Sequence, residues 1–169
     1  MGGSVKILNQ HARAGDQLLL DIGELKQLTI PDGVEKIGSY RFYGSQIESV
    51  VIPSGVKEIG TNAFSNCCEL RSVIFAPGSK LRTIGADAFS CCKNLRRIQF
   101  PDGLEKIGGL CFLASGLEEI VLPASMREIG VGAFRECKQL KSAQLNEGLE
   151  ELGAKETING KEYEGEVFY

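Results

Sequence analysis

A repeat solenoid is the fold class this sequence predicts, and three observations predict it. One unit recurs six times, its apolar slots return in the same order, and glycine holds one slot in every copy. The unit reads L-x-x-(I/V/L)-x-(I/L/F)-P-x-G-(V/L)-x-x-I-G-x-x-A-F-x-x-C, with its first aliphatic residue at Leu25, Ile47, Leu70, Leu95, Leu117 and Leu140. Spacings of 22, 23, 25, 22 and 23 residues fit a coil that cannot bury its apolar face alone and therefore stacks on its neighbours. The chain divides into an N-terminal segment (1–24), six units (25–153), and an insertion with the truncated end of the sixth unit (154–169). Such an array offers a surface more than a pocket.

Each unit opens on a strand. In Leu28, Thr29, Ile30 and its equivalents, buried and exposed positions alternate, as in a short strand with one face on the core, and stacking makes these strands a parallel sheet. Proline follows at Pro31, Pro53, Pro101 and Pro123; lacking an N–H, it ends the pairing and starts a turn. Ala76-Pro77-Gly78 shifts and lengthens that turn in the 25-residue unit. A second aliphatic pair then faces inward from the opposite wall: Val34/Ile37, Val56/Ile59, Leu81/Ile84, Leu104/Ile107, Met126/Ile129 and Leu149/Leu152.

Between the members of that pair, stacking makes a separate prediction, because equivalent positions in adjacent coils should touch. One row reads Glu35, Lys57, Arg82, Glu105, Arg127, Glu150 and the other Lys36, Glu58, Thr83, Lys106, Glu128, Glu151. Signs mostly alternate, as cross-strand pairing favours, although Lys57 meets Arg82 and Glu128 meets Glu151. A merely solvated charged face is the alternative. Gly38, Gly60, Gly85, Gly108, Gly130 and Gly153 come next, where either no side chain fits or φ is positive. Phe42, Phe64, Phe89, Phe112 and Phe134 follow as a predicted stacked spine, carried on helical or 3₁₀ turns along the remaining side.

Cys67, Cys92 and Cys137 share one slot three residues after the phenylalanine, with Ser45 and Ser115 in the short units. They are read as small buried residues with a weak donor. Cys68 and Cys91 flank this ladder and Cys111 takes the alanine slot; six being an even number, a disulfide framework is the alternative reading. The pairs Cys67-Cys68 and Cys91-Cys92 lack the C-x₂-C spacing of a zinc site, so no metal and no cofactor is expected. His11, the single histidine, precedes the repeats, and no pair of acidic residues stands out from the repeat-equivalent surface positions, so no catalytic residues are expected.

Composition narrows the partners. With 43% hydrophobic residues among 169, the chain can build one continuous core. A net charge of −3 with scattered Lys and Arg provides no basic stripe for a phosphate backbone, and no run of 18 or more apolar residues exists to span a bilayer. Neither nucleic acid nor membrane insertion is expected. Met1–Ser4 reads as a cloning remnant and lacks the pattern of a secretion signal. Val5–Leu8 is expected as a strand, and Asp16 as the cap of a turn carrying Leu18, Leu19 and Ile22, together covering the first coil. Ile158-Asn159-Gly160-Lys161 is a hairpin signal. Val167-Phe168 resembles the start of another Ala-Phe slot, so the sequence reads as part of a longer array whose uncapped last coil would associate end to end.

The string IESVVIPSGVKEIGTNAFSNCCELRSVIF at residues 47–75, recurring across about 25–153, resembles the BspA-like branch of leucine-rich repeats. The resemblance implies a right-handed superhelix with the parallel sheet on its concave wall and short second strands opposite. It also implies protein binding and adhesion, often in surface or secreted proteins. Outward residues of the strand wall are then Gln27, Ser49, Ser72, Arg97, Glu119 and Ser142, and Thr29, Val51, Ile74, Gln99, Val121 and Gln144. They vary while the core slots repeat, so Val51, Ile74, Arg97, Gln99, Glu119 and Val121 are the candidate contacts to another protein. The β-branched members also suit a strand for its own sake. A structural spacer within a larger intracellular protein is the alternative function.

Overall fold

The computed structural model describes residues 26–144 and, as strand segments, 151–154, 156–158 and 161–163. The expectations for the N-terminal cap, for Leu149, and for the uncapped end with Val167-Phe168 fall outside the described residues.

Pro31, Pro53, Pro101 and Pro123 each accept a bond at their carbonyl from the N–H three residues on (Val34, Val56, Leu104, Met126; 3.0–3.4 Å). These turns carry the chain from one wall to the next. On the first wall lie β1 (Gln27–Thr29), β3 (Ser49–Ile52), β5 (Ser72–Phe75), β8 (Glu119–Val121) and β10 (Ser142–Gln144). The second wall holds β2 (Lys36–Ile37), β4 (Glu58–Ile59), β6 (Thr83–Ile84), β7 (Lys106–Ile107), β9 (Glu128–Gly130) and β11 (Glu151–Ala154).

The second wall is one six-stranded parallel sheet in chain order. Its register places Ile37, Ile59, Ile84, Ile107, Ile129 and Leu152 in a single line, as slot-by-slot stacking requires. The first wall departs from the continuous sheet expected of it. It forms a three-stranded sheet, β1-β3-β5, and a separate two-stranded sheet, β8-β10, with residues 96–100 between them outside any ladder. The break follows the longest unit, whose extra Ala76-Pro77-Gly78 turn (Gly78 φ 71°) leaves the wall directly after β5. Ile98 and Phe100 are nevertheless buried, so the core slot survives where the ladder does not.

The third side corrects the expectation of helical or 3₁₀ turns. It is a run of overlapping β-turns whose amides alternate between two destinations. Ala63, Ser65 and Cys67 donate three residues back, to Gly60, Asn62 and Phe64, whereas Asn62, Phe64 and Asn66 donate to Ala86, Ala88 and Ser90 of the next coil. Positive φ at Tyr40, Asn62, Asp87 and Leu110, and again at Asn66, Cys91, Ala114 and Glu136, interrupts each helical turn and points every second N–H along the solenoid axis. Backbone groups that a helix would pair internally instead tie coil to coil.

Inside, the five phenylalanines stack with centroids 5.2–5.4 Å apart and planes within 18°. Phe100 meets Phe112 edge-on at 5.9 Å. The glycine column is steric: a Cβ at Gly60, Gly85, Gly108 or Gly130 would lie 2.3–2.8 Å from a backbone nitrogen of the preceding coil. At Gly38 a Cβ would meet nothing within 4 Å among the described residues. Beyond β11, β12 (Glu156–Ile158) and β13 (Lys161–Tyr163) pair antiparallel with Ile158 opposite Lys161, the hairpin that Asn159-Gly160 signals.

Candidate functional site

On the first wall, burial alternates along β3 and β8, so the odd-numbered candidate residues point outward as the strand period requires. Val51 and Ile74 are register partners, with Thr29 beside Val51. Ile74 is 51% exposed and Val121 56%; Val51 is half-buried. The structure therefore joins Val51 to Ile74 as an apolar pair. Val121 lies two coils beyond, opposite Gln144, and exposed Gln99 belongs to the intervening unit. Arg97 and Glu119 form a second pair, Nε to Oε1 at 3.3 Å, on the exposed stretch next to that gap.

Charges one position earlier in each unit make a row that the outward pattern alone did not single out. Lys26 pairs with Glu48 at 3.1 Å, and Glu118 bridges Arg96 and Lys141, the latter at 3.5 Å. The hydrogen bond from Arg96 and then the charge of Lys141 hold the Glu118 carboxyl below its ordinary range. This row edges the first wall with fixed charge.

The second wall answers the question its charges posed. Lys57 reaches back to Glu35 at 3.0 Å and Arg82 forward to Glu105 at 3.5 Å, so the like-charged neighbours Lys57 and Arg82 each find an acid on the far side. Lys36–Glu58 (2.8 Å) and Lys106–Glu128 complete the parallel row. These are inter-coil pairs and not isolated solvated charges.

The cysteine slot is structural. Cys67, Cys92 and Cys137 donate S–H to the carbonyls of Phe42, Phe64 and Phe112 at 3.0–3.3 Å, and Ser45 and Ser115 contact the Cys67 and Cys137 sulfurs. All six thiols are free. Burial pushes the thiols of Cys92 and Cys111 well above the ordinary range, and those of Cys67 and Cys137 less far. Desolvation also raises Asp87 to about 6, in the left-handed slot that Asn62 fills one coil earlier. Among the described residues no group of three or more His, Cys, Asp or Glu could hold a metal, and no helix is long and apolar enough to cross a membrane.

One exposed feature escaped the outward-row reading. Tyr40 (55% exposed) and Tyr43 (53%) pack at 5.9 Å on the turn side of the first coil, with the Tyr43 hydroxyl accepting from Asn66 Nδ2 at 2.9 Å. The signal was in the register: these slots hold Asn62/Ser65 and Asp87/Ser90 in the next two coils.

With walls, columns and register in place, comparison with known proteins is direct. Residues 68–159 match the model of the BspA type leucine rich repeat region in six copies. The chain belongs to that family. A leucine-rich repeat protein from T. pallidum is 36% identical, with a TM-score of 0.68, over 76% of this chain and 69% of that one. One from Bacteroides ovatus is 32% identical, TM-score 0.65, over 70% of this chain and 33% of that one. A third, from Eubacterium ventriosum, is 23% identical with a TM-score of 0.69, over 76% and 34%, and speaks for the fold alone. This chain thus spans about a third of the latter two proteins. No curated protein matches in sequence. Membership makes this BspA-type array a repeat module of the interaction or scaffold kind, in a family and fold that are generally non-catalytic.

Proposed function

We propose that this BspA-type array is a non-catalytic protein-binding module, with the first wall as its concave docking face and Val51 and Ile74 at the centre of contact. The observation that carries the reading is the Val51–Ile74 pair. Two β-branched side chains in register turn away from the core, Ile74 half-exposed, and the Arg97–Glu119 ion pair follows on the next two units of the same wall. An apolar centre with charged groups at its margin is the anatomy of a protein interface. The partner is a folded protein that lays an apolar residue against this pair and meets Arg97, Gln99, Glu119 and Val121 at the rim. The extracellular, adhesin-like setting belongs to the same proposal and rests on the resemblance described above.

The test is capture from lysate and surface extract with wild type and Val51→Arg/Ile74→Arg, both verified as folded by circular dichroism. A protein retained by the wild type and lost by the double variant is the expected result. Equal capture by both would overturn the docking face and favour a spacer, whose outward residues tolerate charge.

A further inference from the structure

Four of the six thiols are buried in the columns, but Cys68 and Cys91 are not. Cys68 is exposed and Cys91 half-buried. They occupy different slots of successive coils, so the repeat does not stack them; a direct contact does. Cys68 Sγ lies 3.7 Å from the carbonyl oxygen of Cys91 itself. That contact makes the two cysteines neighbours across the coil boundary. The left-handed backbone at Cys91 (φ 59°) sets this residue at the turn edge, where its sulfur meets Ser90 Oγ at 3.8 Å. Cys68 also lines a shallow cavity of about 450 Å³ with Lys26, Ser45, Gln46, Asn66 and Glu69, open to a small-molecule reagent.

We infer that Cys68 and Cys91 form a redox-sensitive dithiol that closes into an inter-coil disulfide by exchange with a small-molecule disulfide of the glutathione type. The Cys68 thiolate attacks one sulfur of the reagent, breaking its S–S bond, expelling one thiolate and leaving a mixed disulfide. The Cys91 thiolate then attacks the Cys68 sulfur, forms the protein S–S bond and expels the second thiolate. The two cysteines lose two electrons, the reagent gains them, and the protons released by the cysteines end on its two thiols. Unlike these two, the column thiols are sealed from solvent and held protonated by burial, so they stay out of the exchange. The closed bond staples the second unit to the third, the two that present Val51 and Ile74 on the far wall, although the inference does not depend on that wall binding anything.

The experiment treats the folded full chain with oxidised glutathione at neutral pH, then alkylates it and maps peptides under non-reducing conditions. The expected product is a Cys68–Cys91 cross-linked peptide and an intact mass lower by two hydrogens, with Cys67, Cys92, Cys111 and Cys137 alkylated only after denaturation. Cys91→Ser and Cys68→Ser should instead each retain one glutathione on the remaining thiol. A stable glutathione adduct on the wild type, equal to that of the single variants, would overturn the inference. So would cross-links that involve the column cysteines, or no reaction at either residue.

Discussion

The two walls of this solenoid are built from the same repeat and yet differ in continuity. The second wall is an unbroken sheet of two- to four-residue strands, with charges paired from coil to coil. On the first wall, longer strands fall into two sheets around residues 96–100, and the outward side chains change from unit to unit. Longer strands thus do not make the more continuous wall. Continuity follows the columns: the isoleucine column keeps the second-wall ladder intact even through the lengthened unit, whereas the first-wall ladder opens in the unit that follows, with Ile98 and Phe100 still buried. The columns hold the array, which leaves the first wall free to vary.

If the columns carry the stability, breaking one should outweigh anything done to either ladder. Phe89→Ala opens a cavity between Phe64 and Phe112 and should cost about 3–5 kcal/mol, read from urea denaturation. The glycine slot gives a sharper contrast because one substitution has two expected outcomes. Gly108→Ala would drive a Cβ to 2.5 Å from the Ala86 nitrogen and should cost about 3 kcal/mol, since backbone must move to admit it. Gly38→Ala should change stability by no more than about 0.5 kcal/mol. Equal losses at Gly108 and Gly38 would show that the slot is conformational and not steric.

Asp87 tests the turn side between the walls. Its folded-state pKa of about 6 lies above the ordinary 3.8 because burial disfavours the carboxylate. Between those values the unfolded chain has lost the proton while the folded protein keeps it, so stability should fall as pH rises from about 4 to about 6 and stay level above. Asp87→Asn places there the residue that Asn62 supplies one coil earlier. It should remove that slope and stabilise the protein at pH 7, by less than the full shift would imply because Asp87 is only partly buried and solvent screens it, checked by thermal or urea unfolding at pH 4 and pH 7. The charge ladder stands near the small end of this ranking. A double-mutant cycle on Lys36 and Glu58, both well exposed, should return about 0.2–1 kcal/mol and shrink in high salt. A coupling larger than the Phe89 loss would reverse the ranking of columns over ladders.

Much of the candidate face was legible in advance, and its gaps have physical causes. Alternation along β3, β5 and β8 placed Val51, Ile74, Glu119 and Val121 outward, because a strand has a period of two. Which of them touch was less accessible. Spacing aligns coils but does not reveal that the Ala76-Pro77-Gly78 turn precedes a break in pairing, and that break separates the Val51–Ile74 pair from Val121. The tyrosines of the first coil were visible as residues, yet their exposure depends on turn geometry that apolar periodicity does not encode.

The repeat alone determined the solenoid, the inward slots, the phenylalanine spine and the partners in the charged rows, because stacking brings equivalent positions together at every coil. Only the tertiary structure decided how the glycines act, since a missing side chain records neither φ nor the approach of a neighbouring backbone. It also decided the third side, where positive φ at every fourth residue or so sends amides to the next coil and forbids a helix. And it set Cys68 against Cys91: they occupy different slots of successive coils, and a diagonal contact between slots depends on backbone direction at the turn, which no repeat alignment contains.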